Sequence, residues 1–132
     1  MTYLKTIVLI IYLFGSGLKA TAEPLNDSSR EIDHLFVYLK NSGCQFSRNG
    51  IWYQAKDAAA HLELKYKYLS EKGPITSTES FIRQAASESS VTGIPYLVKC
   101  KSDDPIESAV WFNDEVIKYR KSLNNPFVPL TQ

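Results

Sequence analysis

"CQFSRNGIWY", Cys44 to Tyr53, is the stretch on which the fold turns. Before it, Ile32, Leu35, Phe36 and Leu39 recur at helical spacing. Within it the period drops to two, with Cys44, Phe46 and Arg48 alternating with Gln45 and Ser47. Asn49-Gly50 then signals a type I′ turn, because both central residues of that turn need positive φ. The prediction is a short strand, a tight turn and a brief return through Ile51 to Tyr53.

Helical patterns flank this hairpin. "NDSSREIDHLFVYLKNSG" reads as a first helix, with Ser28 and Glu31 as a capping box, Gly43 as its stop and His34 on the solvated face. "QAKDAAAHLELKYKYLSEKG" is a second, with Ala55, Ala59, Leu62, Tyr66 and Leu69 on one side and Gly73-Pro74 at its end. "TSTESFIRQAAS" is a third, capped by Thr76 and Glu79 and burying Phe81, Ile82 and Ala85. "ESAVWFNDEVIKYRKSL" is the last, with Phe112, Val116, Tyr119 and Leu123 on its inner face and Trp111 opposite them.

Between the third and fourth helices lies "SESSVTGIPYLVKC", Ser87 to Cys100. Gly93 permits positive φ, Pro95 fixes its own φ, and Ile94 is pushed into extended geometry by the proline after it. "TGIPY" is therefore a stiff corner that launches a second strand, Tyr96 to Lys101. "KSDDP" is a loop, and the tail "NNPFVPLTQ" is irregular. If the two strands pair antiparallel, Cys44 and Cys100 meet, and a disulfide between them is geometrically natural. The expected fold is α+β: about four helices packed on a small antiparallel sheet, stapled by one disulfide.

An oxidising compartment is consistent with the N-terminus. Lys5 supplies a positive start, Thr6 to Phe14 is apolar, and Ala20-Thr21-Ala22 is a small-x-small cleavage site. Residues 1–22 are expected to be a signal peptide too short to span a bilayer, leaving 23–132 as a single exported domain with no stable membrane anchor. Of the 15 Lys and Arg residues, Lys5 and Lys19 fall in that leader, leaving 13 against 14 acidic ones. Such a near-neutral balance argues against a nucleic-acid partner, which needs a basic face.

Candidate chemistry is sparse. Ser87, Ser89, Ser90 and Thr92 form a hydroxyl cluster, but no GxSxG elbow or SxxK accompanies them. Hydroxyls between a helix and a strand ordinarily satisfy nearby backbone groups. His61 is the one histidine placed to act as a base, and Asp57, one turn earlier, could orient it. Its ordinary reading is a partly buried side chain bonded to Asp57 or to backbone. His34 and His61 sit on separate helices without HxH or HExxH spacing, so no metal site or cofactor is expected.

"FSRNG", "AAAHLELK" and above all "FIRQAASESSVTGIPYLVK", with a weaker "VWFNDEVIKYR", occur in the order and spacing of a known family. On these blocks the chain resembles the YfeK-like family of small bacterial periplasmic proteins, whose function is unknown. The resemblance implies export and a shared fold, and it brings no reaction or cofactor. Thr92-Gly93-Ile94-Pro95-Tyr96 is also similar to the Ser-Gly-x-x-Tyr loop of periplasmic lysozyme inhibitors, which are β-rich.

The expected function is that of a non-enzymatic periplasmic binding or adaptor protein, with an envelope protein or cell-wall component as partner. Its recognition surface would combine the Arg48, Asn49, Gly50 turn with His61 and a corner of Ser89, Ser90, Thr92, Gly93 and Tyr96. The alternatives are a small cell-envelope hydrolase pairing His61 with a serine of the 87–92 loop, or an inhibitor of a cell-wall hydrolase.

Overall fold

The computed structural model describes residues 27–125. The leader expected at 1–22, and the prolines of the tail, lie outside the described residues. The α+β expectation holds: helices α1 (Asp27–Asn41), α2 (Ala55–Lys72), α3 (Thr78–Phe81) and α4 (Ser108–Asn124) accompany four strands. These are β1 (Gln45–Arg48), β2 (Ile51–Gln54), β3 (Leu97–Lys99) and β4 (Ile106–Glu107), in the sheet order β2-β1-β3-β4, antiparallel throughout.

The hairpin forms as its sequence dictates. Arg48 pairs with Ile51, so Asn49 and Gly50 alone make the turn, at φ +52° and +79°. Both values are positive, as a type I′ turn requires. β1 then pairs with β3 so that Gln45 faces Lys99, which brings the preceding Cys44 beside the following Cys100. The two are bonded, with their Cα atoms 4.3 Å apart. Closing a loop across a separation of 56 residues stabilises by about 4 kcal/mol in the chain-entropy account.

The core lies between sheet and helices. Leu35 and Leu39 of α1, Ala59 and Leu62 of α2, and Phe112 and Val116 of α4 meet the Phe46–Val98 pair of the sheet. Phe81, fully buried, receives Phe36 and Tyr66 at 5.6 and 5.1 Å between ring centroids.

Five local expectations are revised. The first helix already runs from Asp27, so Ser28 lies within it rather than at its cap, and the Glu31 carboxylate takes the Thr78 hydroxyl and the Arg120 guanidinium, joining α1 to α3 and α4. The third helix starts two residues later than its predicted cap, because Ser77, with Ser80, makes the capping box. It also ends in a π turn, Ile82–Ala86. The second strand stops at Lys99; Lys101 turns left-handed at φ +53°, and the chain doubles back to add β4, which is too short to show a period. Trp111 is buried, against Tyr38 at 4.4 Å and Phe46 at 5.3 Å, while Leu123 is exposed. The inner stripe of α4 is thus Ser108, Trp111, Phe112 and Val116, and its last turns leave the core. Finally, His34 is not simply solvated. It bonds Glu115 at 2.8 Å and stacks on Tyr119 at 4.0 Å.

Candidate functional site

β1, α2 and the Gly-Pro corner converge on a cavity of about 320 Å³. Its buried lining is mainly apolar and comes from every layer: Leu39, Phe46, Leu62, Ala86 and Phe112, with Ser47 beside them and the Ser108 hydroxyl donating to the Ala86 carbonyl. The π turn presents Ala86 here, and wide turns of this kind are frequent at functional sites. Towards solvent the lining remains mostly apolar surface and carries Arg48, Tyr53, Asp57 and His61, with Ala58 among them.

Arg48 is the last residue of β1, and the tight turn returns the chain directly into α2 through β2. That geometry sets its guanidinium against the imidazole of His61, with Nη1 2.6 Å from Nδ1 and 3.0 Å from Nε2. The guanidinium thus packs against the ring edge between its two nitrogens, and a cation held there favours the neutral imidazole over a second positive charge. Burial, then the charges of Arg48 and Lys65, hold the His61 pKa below its ordinary value, in agreement with this geometry. Nη2 of Arg48 lies 3.5 Å from the Tyr53 hydroxyl, and the guanidinium stands 5.3 Å from the centre of that ring.

Tyr96 completes the polar side. Lys65, one helical turn beyond His61, donates to the Tyr96 hydroxyl at 3.1 Å and to the Glu88 carbonyl at 2.6 Å. Because the ammonium donates, Tyr96 keeps its own hydroxyl proton for another acceptor. Burial raises the pKa of Tyr96, so the phenol stays protonated, and burial lowers that of Lys65. Among the described residues no carboxylate lies within ion-pair distance of Arg48 or Lys65.

The residues expected at the recognition surface divide into four groups. Arg48, His61 and Tyr96 come together on the cavity. Asn49 and Thr92 join the hairpin tip to the corner, the Thr92 hydroxyl donating to the side-chain Oδ1 of Asn49 at 2.7 Å. Ser89 and Gly93 shape the corner itself: the Ser89 hydroxyl accepts from the amides of Val91 and Thr92, and Gly93 takes φ +70° while donating to the Ser89 carbonyl. Gly50 serves the turn, and Ser90 is exposed. Asp57 lines the cavity, but the hydrogen-bond partner of His61 is Arg48, thirteen residues before it.

Tyr53 and Lys65 belong to the site although sequence reasoning did not place them there. Both had a signal. A two-residue turn puts Tyr53 opposite Phe46 and so diagonal to Arg48, and Lys65 lies at i+4 from His61. Among the described residues no cluster of three or more His, Cys, Asp or Glu could hold a metal ion, and no helix is long and apolar enough to cross a membrane.

No curated protein matches the chain, and no solved structure does. The model of a family of unknown function, DUF5329, matches residues 26–120, which span the hairpin, the disulfide, the corner and every residue lining the cavity. This match gives no support to the YfeK-like name. The chain belongs to the family of unknown function DUF5329.

Proposed function

We propose that the protein is a non-enzymatic binding protein of the cell envelope and that its site is the cavity beside Arg48. The observation that carries this reading is the composition of one concave space: an apolar interior of about 320 Å³ edged by a few fixed polar groups, as small-molecule sites are built. The polar groups are preorganised by one another, Arg48 by His61 and Tyr96 by Lys65.

Engagement elsewhere of the two groups a hydrolase would need supports the binding reading. The His61 ring is held against a guanidinium, and the Ser89 hydroxyl accepts two backbone amides. Export to the periplasm, through cleavage after Ala22, belongs to the same proposal, as does a kinship with YfeK-like proteins within the envelope. N-terminal sequencing of the protein recovered from a periplasmic fraction is expected to begin at Glu23.

One observation favours a protein partner as a second reading. Val91 is 94% exposed at the tip of the corner, with Ile94 beside it half exposed. An apolar tip on a rigid loop would suit insertion into a partner's cleft, as an inhibitor of a cell-wall hydrolase would require.

The neutral fluorescent probe N-phenyl-1-naphthylamine tests the cavity itself. It is expected to bind the wild-type protein and to be excluded from Ala58→Phe, which puts a ring into the space. Equal binding to both proteins, or to neither, would remove the cavity as a site.

A further inference from the structure

We infer that the cavity takes a small amphipathic carboxylate, its apolar body among Leu39, Phe46, Leu62 and Phe112 and its carboxylate on Arg48. This rests on the cavity being a binding site and goes beyond it by naming the ligand's chemistry. The headgroup follows from the state of Arg48. It is a half-buried cation whose polar partners are a neutral imidazole and, at 3.5 Å, a phenol. Removing a charge from water without an opposite charge is costly, and among the described residues none is supplied within ion-pair distance.

A carboxylate answers that geometry. The planar fork of a guanidinium matches two carboxylate oxygens, and among the described residues the Nε and Nη2 edge of Arg48 carries only the long contact to Tyr53. The Tyr96 hydroxyl proton, left free by Lys65, is a second donor on the same lining. A single charge fits better than a phosphate dianion, since Lys65 already holds the Glu88 carbonyl and Tyr96. Asp57, the one acidic residue on the lining, is exposed and opposes a second negative charge.

The body follows from the walls. The volume is about twice that of an engineered apolar cavity of roughly 150 Å³ that holds benzene, so a medium alkyl chain or a substituted ring is accommodated. Each methylene buried should tighten binding by about fourfold until the space is full.

Titration of the full mature chain with decanoate and with 1-decanol, by displacement of N-phenyl-1-naphthylamine at pH 7.5, separates the two levels of the account. Decanoate is expected to bind about 10- to 100-fold more tightly than decanol, the range of a charge-assisted hydrogen-bonded contact. Arg48→Met should remove the preference for decanoate while decanol still displaces the probe, and Asp57→Asn should tighten decanoate alone. Preservation of decanol binding shows that the Arg48 variant is folded. Equal affinities for acid and alcohol in the wild type would overturn the carboxylate assignment while the cavity stands as a site. Failure of both to displace the probe would overturn the cavity reading as well.

Discussion

Arg120 and Arg48 are the same residue in opposite situations. Arg120 reaches from α4 to two carboxylates, Glu31 at 2.7 and 2.8 Å and Glu79 at 2.8 Å. Glu31 also takes the hydroxyl of Thr78, which is 1% exposed, so three helices are tied through one carboxylate. Arg48 has no acid at that distance among the described residues and leans on an imidazole beside an apolar cavity. The first cation is satisfied by the fold. The second is positioned by the fold without an acid of its own among the described residues.

That contrast can be broken or sharpened by mutation, beginning with what both regions share. Replacing Cys44 and Cys100 together by Ala should cost about 4 kcal/mol in urea unfolding, because it frees the long loop that β1 and β3 close. Next comes the satisfied cluster. Glu31→Ala leaves the buried Thr78 donor without its acceptor and is expected to cost about 1–3 kcal/mol. Arg48→Met, by the same measurement, should change stability by no more than about 0.5 kcal/mol, since it removes a cation with no ion pair and keeps the apolar stem. A large loss at Arg48 would mean that it, too, is a structural staple.

The smallest effects separate the two regions by pH. Hydrogen bonding from Arg120, opposed by burial, holds the Glu31 pKa below its ordinary value. Its stabilisation is therefore present above the usual carboxylate range and lost as pH falls through the lowered value. His61 is also lowered, by burial first, but it is a base. The unfolded chain takes up its proton near the ordinary value of about 6.5, before the folded chain does. Stability is thus whole above that pH and declines as pH falls toward the folded value. Wild type should lose more stability than His61→Gln between pH 7 and 5. Identical slopes would remove the neutral, Arg48-bound imidazole.

Much of the frame was legible because it rests on local chemistry. Asn49-Gly50 had only one economical turn to make, and the antiparallel pairing it implied placed Cys44 by Cys100. The helices' buried stripes at Ile32, Leu35 and Leu39, and at Phe81, Ile82 and Ala85, were likewise periodic. What escaped depends on tertiary contact. Two residues of β4 cannot display a period. Trp111 is inside because Tyr38 and Phe46 wait for it, and nothing within α4 reports that. Ser77 and Thr76 are equally plausible caps until burial of Phe81 and Ile82 sets the helix register.

The candidate site divides in the same way. Arg48, His61 and Tyr96 were expected on one surface, and the hairpin register reaches Tyr53 from there. The neutrality of His61 was not legible, since it comes from a guanidinium thirteen residues away that packing alone brings to 2.6 Å. The roles of Ser89 and Gly93 followed turn chemistry once Gly93 N–H met the Ser89 carbonyl at 2.9 Å.

Nuclear magnetic resonance titration of the His61 ring, with and without decanoate, reaches the central claim most directly. Without ligand the ring should titrate below its ordinary value, because burial, Arg48 and Lys65 disfavour its charge. A carboxylate seated on Arg48 neutralises that charge and frees the imidazole from it, so the pKa should rise when decanoate is bound. A ring that titrates at its ordinary value and does not respond to saturating decanoate would contradict the account.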